Sequence, residues 1–261
     1  MSLVPTHSAA VIIGHPAHLL RIYGFVELHK PRVYILTDGS GSRGVSRHED
    51  ALRLIEECGA SEWPRNYQFS DAEMYRVIRE RDTSLLADLA FEIADDIARE
   101  NIEVIGGDAA EGFNPTHDLC RYLINAVVRL LSQQGDRAVL NYDFLLDGPP
   151  YDSGSEGAVI DLDHKQFSRK LKAIRSYPGI EADTQKAMEV YGEDAFRREV
   201  LRPVSAGSRF DPWTTAVPYY ESYGAEMVSR GVYRDLITYK DHMLPIAEFL
   251  SGLTREFGIG A

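Results

Sequence analysis

Three histidines are the residues of this chain best suited to chemistry. His15 and His18 follow the apolar run 9–13, and His117 lies far along the chain behind a proline and a threonine. An apolar, β-branched run that breaks into Gly-His-Pro predicts a strand ending in a loop, where α/β proteins place functional residues. Neutral imidazole is a good ligand for Zn²⁺, and three imidazoles leave a fourth position open for water. We therefore predict that these histidines bind Zn²⁺ or another divalent transition metal.

A simpler interpretation is that three of the eight histidines fall at loop ends by chance. The His-x-x-His pattern alone is a weak signal. Its position at the end of one predicted strand, with His117 following a second predicted strand, strengthens this signal.

Alternating strand-like and helix-like segments must position these histidines. Strands are predicted over 9–14, 32–37, 66–69, 103–106, 137–144 and 158–162. Helices are predicted over 47–59, 70–100 and 117–133, the second of them starting at Ser70 in a capping box with Glu73. This alternation predicts an α/β fold, with a mostly parallel sheet and helices on both of its faces.

The last third of the chain has a different composition. After about Pro178 we find no clear strand, and prolines and Gly-Tyr steps separate helical pieces, the last over about 241–257. A polar, Gly- and Pro-rich loop spans 147–157. We predict a sheet domain over 1–175 and, over 176–261, an α-rich C-terminal cap that covers the carboxyl ends of the strands.

The composition excludes several classes of protein. Apolar residues make up 44% of the 261 positions and charged residues 26%, as in ordinary globular proteins. A formal charge of −12 argues against nucleic acid and anionic membranes as partners. Cys58 and Cys120 fall in predicted helices, so neither a disulfide framework nor a cysteine metal cage is expected. We find no leader segment and no run long enough to span a membrane, and expect a cytoplasmic protein.

Taken in order, several motifs resemble the LmbE/PIG-L family of zinc-dependent N-deacetylases, which act on N-acetylglucosaminyl conjugates and have a Rossmann-like fold. The resemblance covers about residues 8–200. It rests on these segments: Gly14-His15-Pro16-Ala17-His18, Leu36-Thr37-Asp38-Gly39, Arg47 with Asp50, Cys58-Gly59-Ala60, Asp71, Asn114-Pro115-Thr116-His117-Asp118, and Val159-Ile160-Asp161 with Lys165, Lys172-Ala173-Ile174 and Tyr177.

The resemblance implies a metal site with an unusual set of ligands. His15 matches the first metal ligand of the family, and His117 matches the last histidine ligand. His18 stands where the family has a metal-binding aspartate, which gives a site of three histidines with less negative charge. Such a site should bind Zn²⁺ and make its water more acidic than a site with a carboxylate ligand.

Two departures from the family pattern affect catalysis directly. Ala17 stands in place of the general-base aspartate, and Asn114 in place of a histidine that stabilises the tetrahedral intermediate. Another carboxylate must take over, or the activity is lost or changed. Glu111 is our first candidate and Asp108 the second, because the segment 106–112 follows a predicted strand and leads to His117. Alternatively, Asp108 is a further ligand, or both merely cap the helix or face solvent.

The resemblance also implies substrate-binding residues. Arg47 and Asp71 match positions that hold the substrate sugar in the family, and an arginine suits bidentate recognition of a carboxylate or phosphate. Asp38, in the turn 38–42, could approach a ligand at the edge of the sheet, although a tight turn explains it equally well. Several aromatic residues line a sugar cleft or, as is more usual, pack in the core: Trp213, Tyr219, Tyr220, Tyr223, Tyr233 and Tyr239.

The leading hypothesis is a metal-dependent hydrolase that removes an acyl group from an amino-sugar conjugate. The second is a non-catalytic or repurposed metal-binding member that acts as a scaffold, and either protein could form a homo-oligomer. A nucleotide-binding Rossmann enzyme is disfavoured, because the first strand does not lead into Gly-x-Gly-x-x-Gly.

Overall fold

A computed structural model describes the chain over residues 8–41, 44–66, 68–133, 138–147, 157–205 and 216–255. Seven strands are present in these ranges: β1 (Ala9–Ile13), β2 (Arg32–Ile35), β3 (Ser61–Glu62), β4 (Val104–Asp108), β5 (Leu140–Phe144), β6 (Ala158–Asp161) and β7 (Arg198–Pro203). The α-helices in the same ranges are α1 (Tyr23–His29), α2 (His48–Glu57), α3 (Asp71–Glu80), α4 (Thr83–Arg99), α5 (Pro115–Gln133), α6 (His164–Ser176), α7 (Glu181–Tyr191), α8 (Tyr219–Ser229) and α9 (Leu244–Gly252).

The strands form one sheet in the order β3-β2-β1-β4-β5-β7-β6. The first five strands in this order run parallel, so their carboxyl ends share one edge of the sheet. The central strand β1 pairs with β2 on one side and with β4 on the other. The predicted α/β fold with a mostly parallel sheet is therefore confirmed.

The side chains of β1 show why both faces of the sheet are covered. All five of its residues are buried, and successive side chains of a strand point to opposite faces. Ala10 and Ile12 belong to one apolar cluster, with residues of α4, α5 and α9. Val11 and Ile13 belong to a second cluster, with residues of α1 and α2. A continuous apolar strand is thus explained by a core on each side.

One strand was missed by the sequence analysis. After Pro178, where no strand is predicted, β7 lies between β5 and β6 and runs antiparallel to both. Its two central apolar residues are flanked by the charged residues Glu199 and Arg202. This short apolar run is the reason that the strand was not predicted. Glu199 is nevertheless buried, because it forms an ion pair inside the protein. The domain division at 175–176 stays a prediction.

The predicted long helix over 70–100 is also wrong, because it breaks into α3 and α4. Ser70 and Glu73 form the expected capping box, but Arg81 adopts a left-handed conformation with φ of 52°. The side chain of Asp82 then accepts a hydrogen bond from the Leu85 N–H and starts the second helix. A residue in the left-handed conformation commonly ends a helix, and Asp is a preferred N-cap residue. Asp82 was therefore a signal in the sequence that a second helix starts at this junction.

Two further predicted elements are corrected. The strand expected over 66–69 is reduced to a single bridge between Phe69 and Thr37, and β3 lies earlier in the chain. The helix expected over about 241–257 consists of a π-helical turn at Tyr239–Met243 followed by the shorter α9. Most of the predicted loop over 147–157 lies outside the described residues. Within the described ranges, no helix is long and apolar enough to cross a membrane.

A buried ion pair ties β7 to the other elements. The Lys170 Nζ donates to Glu199 Oε1 at 2.7 Å, and the two side chains are 1% and 0% exposed. Glu199 also accepts from the backbone N–H groups of Gly24 and Phe25, in the first turn of α1. Burial lowers the pKa of Lys170, and the charge of Glu199 opposes this shift.

We expect Glu199→Gln to lower the free energy of unfolding by about 3–5 kcal/mol, because the mutation leaves the Lys170 charge buried without its partner. Chemical denaturation monitored by circular dichroism measures this change. The control is Asp161→Asn, which removes an exposed ion pair with Arg198 and should leave the unfolding midpoint unchanged. Equal effects of the two mutations would contradict the proposed role of the buried pair.

Candidate metal centre

The fold brings the three predicted histidines together. One ring nitrogen from each of His15, His18 and His117 lies within 4.8 Å of those of the other two. The ring centroids are separated by 5.2 Å for His15 and His18, 5.1 Å for His15 and His117, and 4.5 Å for His18 and His117. Among the described residues this is the cluster of His, Cys, Asp or Glu side chains with the geometry to hold a metal ion.

The ends of parallel strands place these side chains. His15 follows β1 in extended conformation and caps a short 3-10 helix, Pro16–Leu20, that carries His18. His117 lies in the first turn of α5, the helix that follows β4. Because β1 and β4 are neighbours, the loops after them meet at the same edge of the sheet.

Two oxygen atoms orient the ring of His15. Its Nδ1 lies 2.8 Å from Thr37 Oγ1 and 3.0 Å from Asp71 Oδ1. The Thr37 hydroxyl donates to the Gly14 carbonyl, and the Gly41 N–H donates to the second Asp71 oxygen. Burial raises the pKa of Asp71, but the adjacent His15 ring and the hydrogen bond from the Gly41 N–H outweigh it and hold this pKa well below its usual range. Asp71 therefore remains a carboxylate behind His15.

A second carboxylate orients His18 in the same way. The His18 Nδ1 lies 2.9 Å from Asp108 Oδ2, and the Asp108 side chain is fully buried. Asp108 Oδ2 also accepts the Gly14 N–H at 2.8 Å, and a Cβ at position 14 would lie 3.1 Å from that oxygen. A histidine that bonds a carboxylate through one ring nitrogen presents the other nitrogen as a metal ligand.

Arg121, which the sequence analysis did not identify, holds Asp108 from behind. Its Nε donates to the Asp108 carbonyl at 2.6 Å, and its other nitrogens donate to Asn141 Oδ1 and to the Tyr142 carbonyl, both at 3.0 Å. Burial lowers the pKa of Arg121, while neighbouring acidic groups oppose the shift. Arg121 follows His117 by one helical turn, and this spacing is the signal that could have identified it.

His117 completes the cluster with an imidazole that is only 8% exposed. Its Nδ1 is buried and has no hydrogen-bond partner among the described residues. Burial, followed by the nearby His18 and His15, lowers the pKa of His117 well below its usual value. The ring is therefore neutral, as a metal ligand must be. A buried nitrogen without a partner and two rings oriented by carboxylates fit a divalent transition metal.

The two carboxylates predicted to act as the base occupy different environments. Asp108 contacts Gly14 and His18, as described above. Glu111 is partly buried, and its Oε2 accepts the backbone N–H groups of Leu146 at 2.6 Å and Asp147 at 3.2 Å. The fully buried Asp118 accepts the N–H of Glu111 at 3.0 Å and so shapes the loop.

The predicted substrate residues Asp38 and Arg47 make different contacts. Asp38 Oδ1 accepts the Ser40 N–H, as in the tight turn that was the simpler interpretation. The guanidinium of Arg47 donates to the Gly179 carbonyl at 3.1 Å. Gly39 has a φ of 65°, and a Cβ there would lie 2.7 Å from the Pro16 ring. Close packing of the Asp38 turn on the loop of His15 thus requires glycine.

Asn114 has a structural role that its position before α5 explains. Its Oδ1 accepts the Thr116 N–H at 2.8 Å, which caps the helix that carries His117. The same oxygen accepts the Tyr75 hydroxyl at 3.4 Å. Tyr75, one turn after Asp71 on α3, was not identified from the sequence. Ala17 is half-buried and packs against the second apolar cluster.

The C-terminal aromatic residues divide into two groups. Tyr220 and Tyr239 are buried, as the core interpretation expected, whereas Tyr219, Tyr223 and Tyr233 are exposed. Trp213 lies outside the described residues.

The comparisons with known proteins support the fold. No family model and no curated protein matches the chain. A zinc-inhibited form of teicoplanin deacetylase Orf2 is similar, with 14% sequence identity over 76% of this chain and 98% of that one, and a TM-score of 0.52. A deacetylase–teicoplanin complex from teicoplanin biosynthesis is 13% identical over 76% of this chain and all of that one (100%), with a TM-score of 0.52. A deacetylase–bog complex from the same pathway covers 76% and 99% at 13% identity, with a TM-score of 0.53. At such identities the likeness establishes that this chain has the same α/β fold as these deacetylases.

Proposed function

We propose that the protein is a metal-dependent hydrolase that removes an acyl group from an amino-sugar conjugate. The observation that carries the proposal is the cluster of three imidazoles, two of which are fixed by buried carboxylates. The solved deacetylase structures described above have the same α/β fold as this chain, and this likeness supports removal of an acyl group as the reaction class. The resemblance of the motifs to LmbE/PIG-L deacetylases supports an N-acetylated sugar as the substrate.

His15, His18 and His117 would hold the ion, which we propose to be Zn²⁺. When bound, Zn²⁺ acts as a Lewis acid on an amide carbonyl and lowers the pKa of water to near neutrality. The chain supplies the orientation: Asp108 accepts from the Nδ1–H of His18, and Thr37 and Asp71 lie beside the Nδ1 of His15, so that the Nε2 of each ring would be free to coordinate. The two carboxylates also balance the charge that three neutral ligands leave uncompensated.

For proton transfer we retain Glu111 as the first candidate. It lies in the loop between β4 and the helix of His117, and it is partly buried. Its side chain accepts hydrogen bonds from the backbone N–H groups of Leu146 and Asp147, which fix the position of the carboxylate. For Asp108, the contacts with His18 favour a positioning role over that of a base.

For substrate binding we propose Arg47 and Asp38, which lie beside Gly39, the residue that packs against the Pro16 ring. The Asp71 carboxylate contacts His15, so we assign it the orientation of that ring in addition to any contact with substrate. A small amino-sugar conjugate remains the proposed partner.

A second candidate function is a non-catalytic, metal-binding scaffold. The observation that favours it is the use of the Asn114 oxygen as a helix cap, together with the apolar side chain of Ala17. Hydrolysis of an N-acetylated amino sugar by the metal-loaded protein separates the two functions.

We expect His117→Ala to abolish tight zinc binding, because a site with two protein ligands is incomplete. Asp108→Asn should weaken zinc affinity about 10–100-fold, since it removes the carboxylate that orients His18. Isothermal titration of metal-free protein with Zn²⁺ measures both effects. His164→Ala, which removes an exposed histidine at the start of α6, is the matched control and should bind as the wild type does. Unchanged affinity in His117→Ala would refute the ligand assignment.

For Glu111→Gln we expect the turnover number to fall by roughly 10²-fold or more, with the zinc content intact, as for the loss of a general base. Acetate release from N-acetylglucosamine conjugates measures turnover, and elemental analysis measures zinc. The reverse test is Ala17→Asp, which restores a carboxylate beside His18. If Glu111→Gln keeps the wild-type rate, the assignment of Glu111 is wrong. If only Ala17→Asp is active, the scaffold interpretation is correct.

A further inference from the structure

A single peptide group lies between the side chains of Arg21 and Glu111. The Arg21 Nε donates to the Leu145 carbonyl at 2.8 Å, and the N–H of the next residue, Leu146, donates to Glu111 Oε2 at 2.6 Å. This carbonyl and this N–H belong to one planar peptide unit. The two hydrogen bonds are therefore made at opposite ends of a rigid group, and that group joins the guanidinium to the carboxylate.

The charges at the two ends match the dipole of this peptide group. The cation lies at the carbonyl oxygen and the anion at the N–H, and hydrogen bonds in such a chain polarise and strengthen one another. Burial lowers the pKa of Arg21, and the charge of Glu111 is the largest of the effects that oppose this shift. The guanidinium therefore interacts with Glu111 both through the peptide group and through space.

The backbone of Arg21 is fixed beside His18. Its N–H donates to the His18 carbonyl at 3.0 Å and ends the short 3-10 helix that carries His18. Its carbonyl accepts the buried ammonium of Lys170 at 3.0 Å. The guanidinium carbon lies 5.8 Å from the centroid of the buried Phe196 ring. The side chain thus starts from a fixed point next to a proposed metal ligand and reaches the segment that contacts Glu111.

Different residues hold the backbone and the carboxylate of Glu111. Asp118 Oδ1 fixes the backbone, because it accepts the N–H groups of Glu111 and Gly112 at 3.0 and 3.1 Å. The carboxylate is held by the segment 145–147, which Arg21 anchors. Loss of the Arg21 side chain would therefore release the carboxylate and leave the backbone of the loop in place.

We propose that Arg21 is the positioning residue of Glu111: through the peptide group between residues 145 and 146, it ties the Glu111 carboxylate to the loop that carries His18. The inference rests on the proposed function for its effect on turnover, because Glu111 is the candidate base of that reaction. A base must be placed accurately, since a displacement of about 1 Å can lower the rate roughly 10²-fold.

Amide hydrogen exchange followed by NMR tests the contact without any turnover. We expect Arg21→Met, which keeps an unbranched side chain beside Phe196, to speed exchange of the Leu146 amide about tenfold, because its acceptor is released. Arg21→Lys keeps the charge but not the fixed Nε–H, so it should speed exchange less. If Arg21→Met does not fold, Arg21→Lys alone provides the test.

The matched control is Arg197→Met. Its guanidinium lies 4.5 Å from the centroid of the Phe167 ring and pairs with the exposed Asp194. This variant should leave exchange at Leu146 unchanged. Isothermal titration of Arg21→Met with Zn²⁺ should give the wild-type affinity, since Arg21 is not a proposed ligand.

Turnover of methyl N-acetyl-β-D-glucosaminide by the zinc-loaded protein tests the effect on catalysis. We expect Arg21→Met to lower kcat roughly 10- to 100-fold and to leave KM within about twofold of the wild type. Arg21→Lys should recover part of this loss. In the Glu111→Gln background, Arg21→Met should have no further effect on kcat, because the two residues act as a unit.

Wild-type exchange at Leu146 in the variants of Arg21, or losses of kcat that multiply in the double variant, would overturn the inference. Faster exchange at Leu146 without acetate release from the wild type would refute the proposed hydrolase and leave the role of Arg21 standing. Acetate release that depends on Glu111 but not on Arg21 would do the reverse.

Discussion

The buried carboxylate of Asp108 is the constraint on which the candidate site depends. One oxygen of this carboxylate accepts the Gly14 N–H and also contacts the ring of His18. Asp108 therefore joins the end of β4 to the loop that follows β1. Its own carbonyl is held by Arg121, a residue of the helix that supplies His117. The loop after β1, the end of β4 and helix α5 therefore meet at Asp108, whose side chain is fully buried. A carboxylate can be buried in this way only because each of its oxygen atoms has a hydrogen-bond partner.

The histidine cluster has negative charge next to it, behind two of the three proposed ligands. In the LmbE/PIG-L pattern that the motifs resemble, a carboxylate binds the metal directly, and we propose that His18 takes that position in this chain. Asp71 and Asp108 lie behind His15 and His18 and contact their Nδ1 atoms. We infer that this arrangement leaves the ion a stronger Lewis acid than a directly bound carboxylate would, while the carboxylates retain the orientation of the rings.

Much of this organisation follows from the sequence. The buried run in β1, the strand-helix alternation and the histidine spacing predict a parallel sheet with a three-histidine cluster at its carboxyl edge, and the structure places both there. The roles of Asp71 and Asp108 did not follow, because they depend on hydrogen bonds between residues distant in sequence. The strand β7 was missed because its buried Glu199 reads as a surface residue until Lys170 is placed beside it. Arg121, equally, looks like an exposed helix position until its three buried acceptors are known.

Elemental analysis of the wild-type protein, purified without chelator or an affinity metal, tests the central claim most directly. The account predicts one transition-metal ion per chain, retained through dialysis against metal-free buffer, with zinc as the main species. Protein that is folded by circular dichroism, carries no transition metal and takes up none when Zn²⁺ is supplied would contradict it.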